Sequence, residues 1–285
     1  MNVGVVGLGL IGGSVAKAIK HSTPHSVLGY DIVEQVTYKA KLLEAIDNTL
    51  TDELIPLCDM LIVATYPEIC VNYIKEKAPL IKKGAIVMDT SGVKGAVCSE
   101  LFSIAKENGF TFIGAHPMAG IEFSGFDNAQ RKLFNDASII LTPPENVDLE
   151  VLENVKKLWA SLGFSNFEIT TADRHDKIIA YTSQLAHVVS SAYIKSPTAL
   201  LHKGFSAGSY KDMTRVARLN EAMWTELFLD NADNLSQEIE TIIENLKEYG
   251  EAIRNRDENK LCALLKDGRE RKEQADKGDL SAWKE

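Results

Sequence analysis

The 285-residue chain has little of what marks secreted, metal-stapled or membrane-bound proteins. Its four cysteines, Cys58, Cys70, Cys98 and Cys262, include no CxxC pair and no ligand spacing, which argues against a disulfide framework and a structural zinc site. No apolar run approaches the ~20 residues that span a bilayer. The opening MNVGVVGLGL has neither a basic n-region nor a small-residue cleavage motif. Positive charge is scarce too: 40 acids outnumber 31 bases, for a net charge of -9, and no basic run stands out. Such a chain is a poor partner for nucleic acid or an anionic membrane. These absences lead us to expect a soluble, cytoplasmic protein in a reducing compartment, with no metal. What is present is ordinary for a globular protein, 45% hydrophobic and 25% charged residues, so disorder is excluded. At ~150 residues per domain the length suggests two domains.

The first half alternates short β-branched runs with amphipathic stretches, the pattern of a parallel sheet with crossover helices. Strands are expected at Asn2 to Val6, Ser26 to Tyr30, Met60 to Ala64, Ala85 to Met88, Thr111 to Ala115, Ser138 to Leu141 and Asn166 to Ile169. Helical periodicity covers Leu10 to Lys20, Glu68 to Lys77, Ala96 to Asn108 and Leu149 to Leu162. Near Thr170 the character changes. Thr170-Thr171-Ala172-Asp173 reads as a capping-box helix start, and only helical patterns follow. The stretch Asp230 to Lys266 is expected to be mostly helix. The expected fold class is α/β: a Rossmann-type parallel-sheet domain over 1–170, then an all-α domain over 171–285.

Gly7-Leu8-Gly9-Leu10-Ile11-Gly12 is G-x-G-x-x-G, placed directly after a strand and opening a helix. Alone the pattern is weak; in this context each part has a mechanical reason. Gly7 permits the tight turn, Gly9 lets backbone approach a pyrophosphate, and Gly12 lets helix and strand pack closely. The amides at the helix start, with Leu10 and Ile11, then face the phosphates with a partial positive charge. Asp31 closes the second strand, nineteen residues beyond Gly12. A carboxylate there accepts from ribose hydroxyls and repels a 2′-phosphate, and Ile32, Val33 and Glu34 offer no cation to neutralise one. NAD is therefore expected over NADP. Thr65, just past the Met60 to Ala64 run, joins the cofactor-binding set.

A nucleotide domain does not name a substrate. The informative segment is Gly114-Ala115-His116-Pro117-Met118-Ala119-Gly120-Ile121-Glu122-Phe123-Ser124-Gly125. It places a histidine at a strand end, where parallel sheets gather ligand chemistry, ahead of a glycine-rich loop carrying Glu122 and Ser124. Imidazole is the natural base near neutral pH, although a lone histidine at such a point is as often structural. Further on, Lys211, Arg215 and Arg218 fall at helical spacing, a stripe that suits a dicarboxylate or simple solvent exposure. Ser183 and His187 share a small, polar helix face.

G-x-H-P-M-A-G-x-E-x-S-G, Asp89-Thr90-Ser91-Gly92-Val93-Lys94 upstream, and Tyr210-Lys211-Asp212-Met213-Thr214-Arg215-Val216-Ala217 followed by Met223-Trp224 together resemble prephenate dehydrogenase of tyrosine biosynthesis. The resemblance runs from Met1 to at least Asn231 and touches both expected domains. It implies His116 as the catalytic histidine and Arg215 as the substrate-carboxylate arginine, with Lys211 and Asp212 helping to build the site. Ser183-Gln184-Leu185-Ala186-His187 resembles the family's S-H-L-P-H, which implies a substrate pocket at Ser183, Gln184 and His187. Glu122 and Ser124 join the substrate-binding set on the same ground. A homodimer through the C-terminal helices is also implied.

Three departures from the family pattern, at four positions, matter here. Its usual D-x-G-S-V-K reads D-T-S-G-V-K here, so the serine that supports the histidine is displaced by one position and Ser91 is its substitute. Gln184 and Ala186 replace a histidine and a proline. These changes bear on specificity rather than reaction class. The implied reaction is NAD-dependent oxidative decarboxylation of prephenate to 4-hydroxyphenylpyruvate, with His116 and Ser91 as catalytic residues. The rivals are arogenate dehydrogenase, another hydroxy-acid dehydrogenase with a Rossmann and a helical domain, and a non-catalytic NAD-sensing module.

Overall fold

Runs of valine and isoleucine four or five residues long, each handed on to a helix, bury both faces of a strand and so favour a parallel sheet. The computed structural model describes residues 1–121 and 123–278. Its elements begin β1 (Asn2–Val6), α1 (Leu10–Ser22), β2 (Ser26–Tyr30), α2 (Glu34–Leu42), β3 (Asn48–Thr49), β4 (Met60–Val63) and α3 (Pro67–Lys77). They continue with β5 (Ile86–Asp89), α4 (Gly95–Asn108), β6 (Thr111–Met118), β7 (Ser138–Thr142), α5 (Leu149–Ser161) and β8 (Asn166–Ile169). The strands form one eight-stranded sheet among the described residues, in the order β3-β2-β1-β4-β5-β6-β7-β8.

Alternation along the strands sorts the core. Val3 and Val5 of β1, with Met60 and Ile62 of β4, meet Val15 and Ile19 of α1 and Trp159 of α5 on one face. Val6, Leu61 and Val63 meet Ile74 of α3 and Leu101 of α4 on the other. Each such side chain, fully withdrawn from water, contributes about 1.5–3 kcal/mol before entropy is counted.

Two features differ from the sequence expectation. The α2 helix and the two-residue β3 carry almost no apolar signal: only Thr37 and Ala40 of α2 are buried. In addition, β6 and β7 pair antiparallel, His116 opposite Ile140, while the other neighbours are parallel. Among the described residues no long helix lies between β6 and β7 to carry the chain back across the sheet, so the return strand runs the opposite way.

After β8 the described chain is helical: α6 (Ala172–Ile179), a π-helical turn over Ala180–Leu185, α7 (Ala186–Ile194), α8 (Gly208–Thr214), α9 (Glu221–Leu229), α10 (Ala232–Arg254) and α11 (Glu258–Asp276). The α6 cap is Thr171, whose hydroxyl accepts from the Arg174 amide. The expected Asp230 to Lys266 helix is interrupted at Arg256, which takes a left-handed φ of 52°. Two compact units result, Met1–Leu235 and the chain from Ser236 onward. The helices α6 to α9 thus share a unit with the sheet. In the second unit the Tyr249 hydroxyl donates to the Leu264 carbonyl at 3.1 Å, tying α10 to α11. No described helix is long and apolar enough to cross a membrane.

Candidate active site

The carboxyl ends of β1, β2, β4, β5 and β6 open on one edge of the sheet, where parallel sheets collect ligands. At β1 the chain turns through Gly7 at φ +81°, and a Cβ there would lie 2.5 Å from the Ala64 carbonyl. The Thr65 side chain packs against the same point. A Cβ on Gly12 would collide with the Gly7 carbonyl, whereas the space over Gly9 is open. Gly9 caps α1 with no side-chain hydrogen bond, and no acid lies in the first turn. The amides at Leu10, Ile11 and Gly12 therefore form an uncapped, partly positive helix end, suited to a pyrophosphate. Asp31 accepts from the Leu8 amide at 2.8 Å and from the Val33 amide at 2.9 Å, holding the glycine turn against the end of β2.

At the end of β5, Asp89 forms a fully buried ion pair with Lys94 and accepts from the Ser91 amide at 2.8 Å and the Ala115 amide at 3.0 Å. Asp89 thus ties the Ser91–Lys94 turn to β6, beside His116. His116 Nδ1 lies 2.9 Å from His175 Nε2, and His175 Nδ1 lies 2.7 Å from Asp176 Oδ1. The Asp176 carboxylate also accepts from the Lys94 amide at 2.8 Å and the Gly95 amide at 2.7 Å, at the start of α4. Burial, reinforced by His175 and the Lys94 charge, holds the His116 pKa well below the ordinary histidine range. Burial also lowers that of His175, against the opposing pull of Asp176. The other ring nitrogen, His116 Nε2, faces Gly92: a Cβ there would stand 3.9 Å away. Ser91 is buried, and its hydroxyl has no hydrogen-bond partner among the described residues.

A second group lies on α7 and α9. His187 Nδ1 donates to the Ser183 carbonyl at 3.0 Å, which leaves Nε2 as an acceptor. Its ring lies against Trp224 with centroids 3.8 Å apart and the planes tilted by 30°. Burial, with the Arg215 charge, lowers the His187 pKa, partly offset by the Ser183 carbonyl. Arg215 begins a short helical turn directly after α8, and its amide caps back to the Lys211 carbonyl.

The two groups are joined by α9. Leu227 lies 3.4 Å from the Gly92 Cβ position, and Trp224, three residues earlier, covers His187. Residues three apart share a helix face and stand ~4.5 Å apart along the axis. The His116 end and the His187–Arg215 end are therefore neighbours along one wall.

Several residues singled out in the sequence come together in groups: Gly7, Gly9, Gly12, Asp31 and Thr65 around the turn after β1, and His187, Ser183 and Arg215 beside α9. Gln184 is engaged inside the protein, its amide nitrogen donating to the Leu227 carbonyl and its oxygen accepting from Asn231, both at 2.8 Å. Lys211 and Ser124 are exposed, and Glu122 lies outside the described residues. Sequence reasoning missed His175, Asp176 and the structural part of Asp89 and Lys94. The available signal was a His-Asp pair one turn after a threonine cap.

The family model for the prephenate dehydrogenase nucleotide-binding domain matches residues 15–166, and that for the prephenate dehydrogenase dimerization domain matches residues 171–267. A cyclohexadienyl dehydrogenase of Zymomonas mobilis is 30% identical over 93% of each chain. The structure of an A. aeolicus prephenate dehydrogenase in complex with hydroxyphenyl propionate and NAD+ is 29% identical, with a TM-score of 0.81 over 96% of this chain and 98% of that one. A Synechocystis arogenate dehydrogenase is 26% identical, with a TM-score of 0.82 over 96% of this chain and all of its own.

Proposed function

Because the chain belongs to the prephenate dehydrogenase family, we propose that it carries out the NAD-dependent oxidative decarboxylation of prephenate to 4-hydroxyphenylpyruvate, a step of tyrosine biosynthesis. The observation that carries this reading is α9, which sets Leu227 against Gly92 beside the neutral imidazole of His116 and, one turn earlier, Trp224 against His187, whose ring feels the Arg215 charge. That is the layout needed to take a proton at one end of a small dicarboxylate and hold charge at the other.

The uncapped start of α1, the open space over Gly9 and Asp31 fit NAD. Held there, NAD would supply the acceptor for the hydride on ring C4 of the substrate. His116 Nε2 takes the C4 hydroxyl proton as the C–O bond becomes a carbonyl. The ring carboxylate then leaves as carbon dioxide, its bonding pair closes the aromatic ring, and His116 returns the proton to the phenol oxygen. Arg215 holds a carboxylate by a planar, charge-assisted contact, with His187 beside it. Lys211, Ser183, Ser124 and Glu122 complete our substrate set, while Gln184 braces the wall from behind. The orphaned Ser91 hydroxyl is a donor available to a bound molecule.

Arogenate is the second reading, since relatives carry arogenate and cyclohexadienyl names. We place prephenate first because Arg215, Lys211 and His187 favour a keto acid over the ammonium group that arogenate carries. Steady-state NADH formation with prephenate or arogenate, each with NAD or NADP, tests this. Preference for arogenate would overturn the substrate; no turnover of either would overturn the function.

We place the functional boundary near Thr170, with nucleotide binding in 1–170 and substrate and subunit contacts in 171–285. A homodimer accords with the dimerization-domain match and with the bare side chains of Leu200 (87% exposed) and Phe205 (92% exposed). Light scattering that shows a monomer at micromolar concentration would contradict it.

A further inference from the structure

We propose that His175 and Asp176 are positioning residues that lock His116 in one tautomer, with the proton on Nδ1 and the lone pair on Nε2. The proposal rests on the reading of His116 as the base. It follows from counting donors along the chain of contacts. Asp176 already accepts two backbone amides, those of Lys94 and Gly95, at the positive end of α4. Held there as a carboxylate, it has no proton to give, so His175 Nδ1 is the donor in the 2.7 Å contact. A neutral His175 then presents a lone pair on Nε2. The 2.9 Å contact with His116 consequently needs its proton from His116 Nδ1. This leaves His116 Nε2 as an acceptor, on the side that faces Gly92.

The relay also answers the departure seen in the sequence. Position 92, where the family pattern has serine, faces Nε2, and glycine there offers no hydroxyl to orient the ring. Orientation must come from the Nδ1 side. His175 is buried, and Asp176 is held by the Asn231 side chain through its backbone carbonyl as well as by the α4 amides. The groups around His116 are thus His175 and Asp176 from α6, Lys94 before α4, and Asp89 at the end of β5. None of them offers a proton to Nε2 in the structure.

The test uses the full-length protein and two substitutions that divide the imidazole. His175→Asn keeps a donor near the Nδ1 position, hence the tie to Asp176, but removes the acceptor for His116. His175→Gln keeps an acceptor near the Nε2 position and gives up the tie. The relay predicts a kcat loss of about 10- to 100-fold in His175→Asn, with KM values for prephenate and NAD unchanged, and at least partial rescue in His175→Gln. A merely structural role for His175 predicts the reverse order, and that result would overturn the proposal. Nitrogen NMR of histidine-labelled protein without ligands supplies a readout independent of turnover. His116 should appear as the neutral Nδ1–H form in the wild type and as a tautomer mixture in His175→Asn. A wild-type His116 protonated on Nε2 would overturn the relay. Absent turnover alongside the expected NMR signature would instead contradict the functional reading alone.

Discussion

The Cβ position of Gly92 lies 3.9 Å from Nε2 of His116, with the flexible methyls of Leu227 as its nearest neighbours at 3.4 and 3.5 Å. A serine fits there without backbone strain. Its hydroxyl would donate to the neutral imidazole and stabilise the uncharged form, lowering the His116 pKa further. We predict that Gly92→Ser folds normally and moves the acid limb of the kcat/KM profile to lower pH. An unmoved limb would contradict the placement of Gly92.

Arg215→Gln should chiefly raise KM for prephenate, because the carboxylate it holds is present in substrate and transition state alike. Loss of a charged hydrogen bond costs on the order of 1.5–3 kcal/mol, or about 10- to 150-fold in KM. A fall in kcat at unchanged KM would show that Arg215 acts on the chemistry instead.

The Asp31 carboxylate accepts the Leu8 and Val33 amides, and in our proposal it also receives the ribose hydroxyls. Asp31→Ser should therefore raise KM for NAD and narrow the preference over NADP. Equal loss with both cofactors would leave only the loop-holding role.

Lys94 and Asp89 form a fully buried pair, so Lys94→Met strands a carboxylate away from water. Urea unfolding should report a loss of about 3–5 kcal/mol. Removing this charge also removes one of the causes that depress the His116 pKa, so the acid limb should move up. A stable variant with an unmoved limb would contradict both statements.

These relationships separate what the sequence discloses from what it hides. The strands and the glycine turn were legible because burial of both sheet faces leaves unbroken valine and isoleucine runs, and because a pyrophosphate loop tolerates few residue types. The α2 helix and β3 were not legible, since they bury too little to leave a pattern. His116 and Arg215 were found through motifs. His175 was hidden because its partner is fifty-nine residues away and a buried histidine on an amphipathic helix looks like core. The function of position 92 needed the structure for a similar reason: only the fold shows which of two adjacent small residues faces the imidazole.

The central claim is that His116, neutral through the physiological range, removes the substrate proton. A base works only when unprotonated, and burial with nearby positive charge depresses its pKa. Wild-type kcat should therefore stay level as pH falls through ~6.5, the ordinary histidine value, and decline only below it. The most direct measurement is the pH profile of kcat for the wild type and His116→Asn with saturating prephenate and NAD. The account predicts a variant slower by 10²–10⁴-fold, with KM little changed and the acid limb gone. A variant that keeps near-wild-type kcat, or the same acid limb, would contradict it.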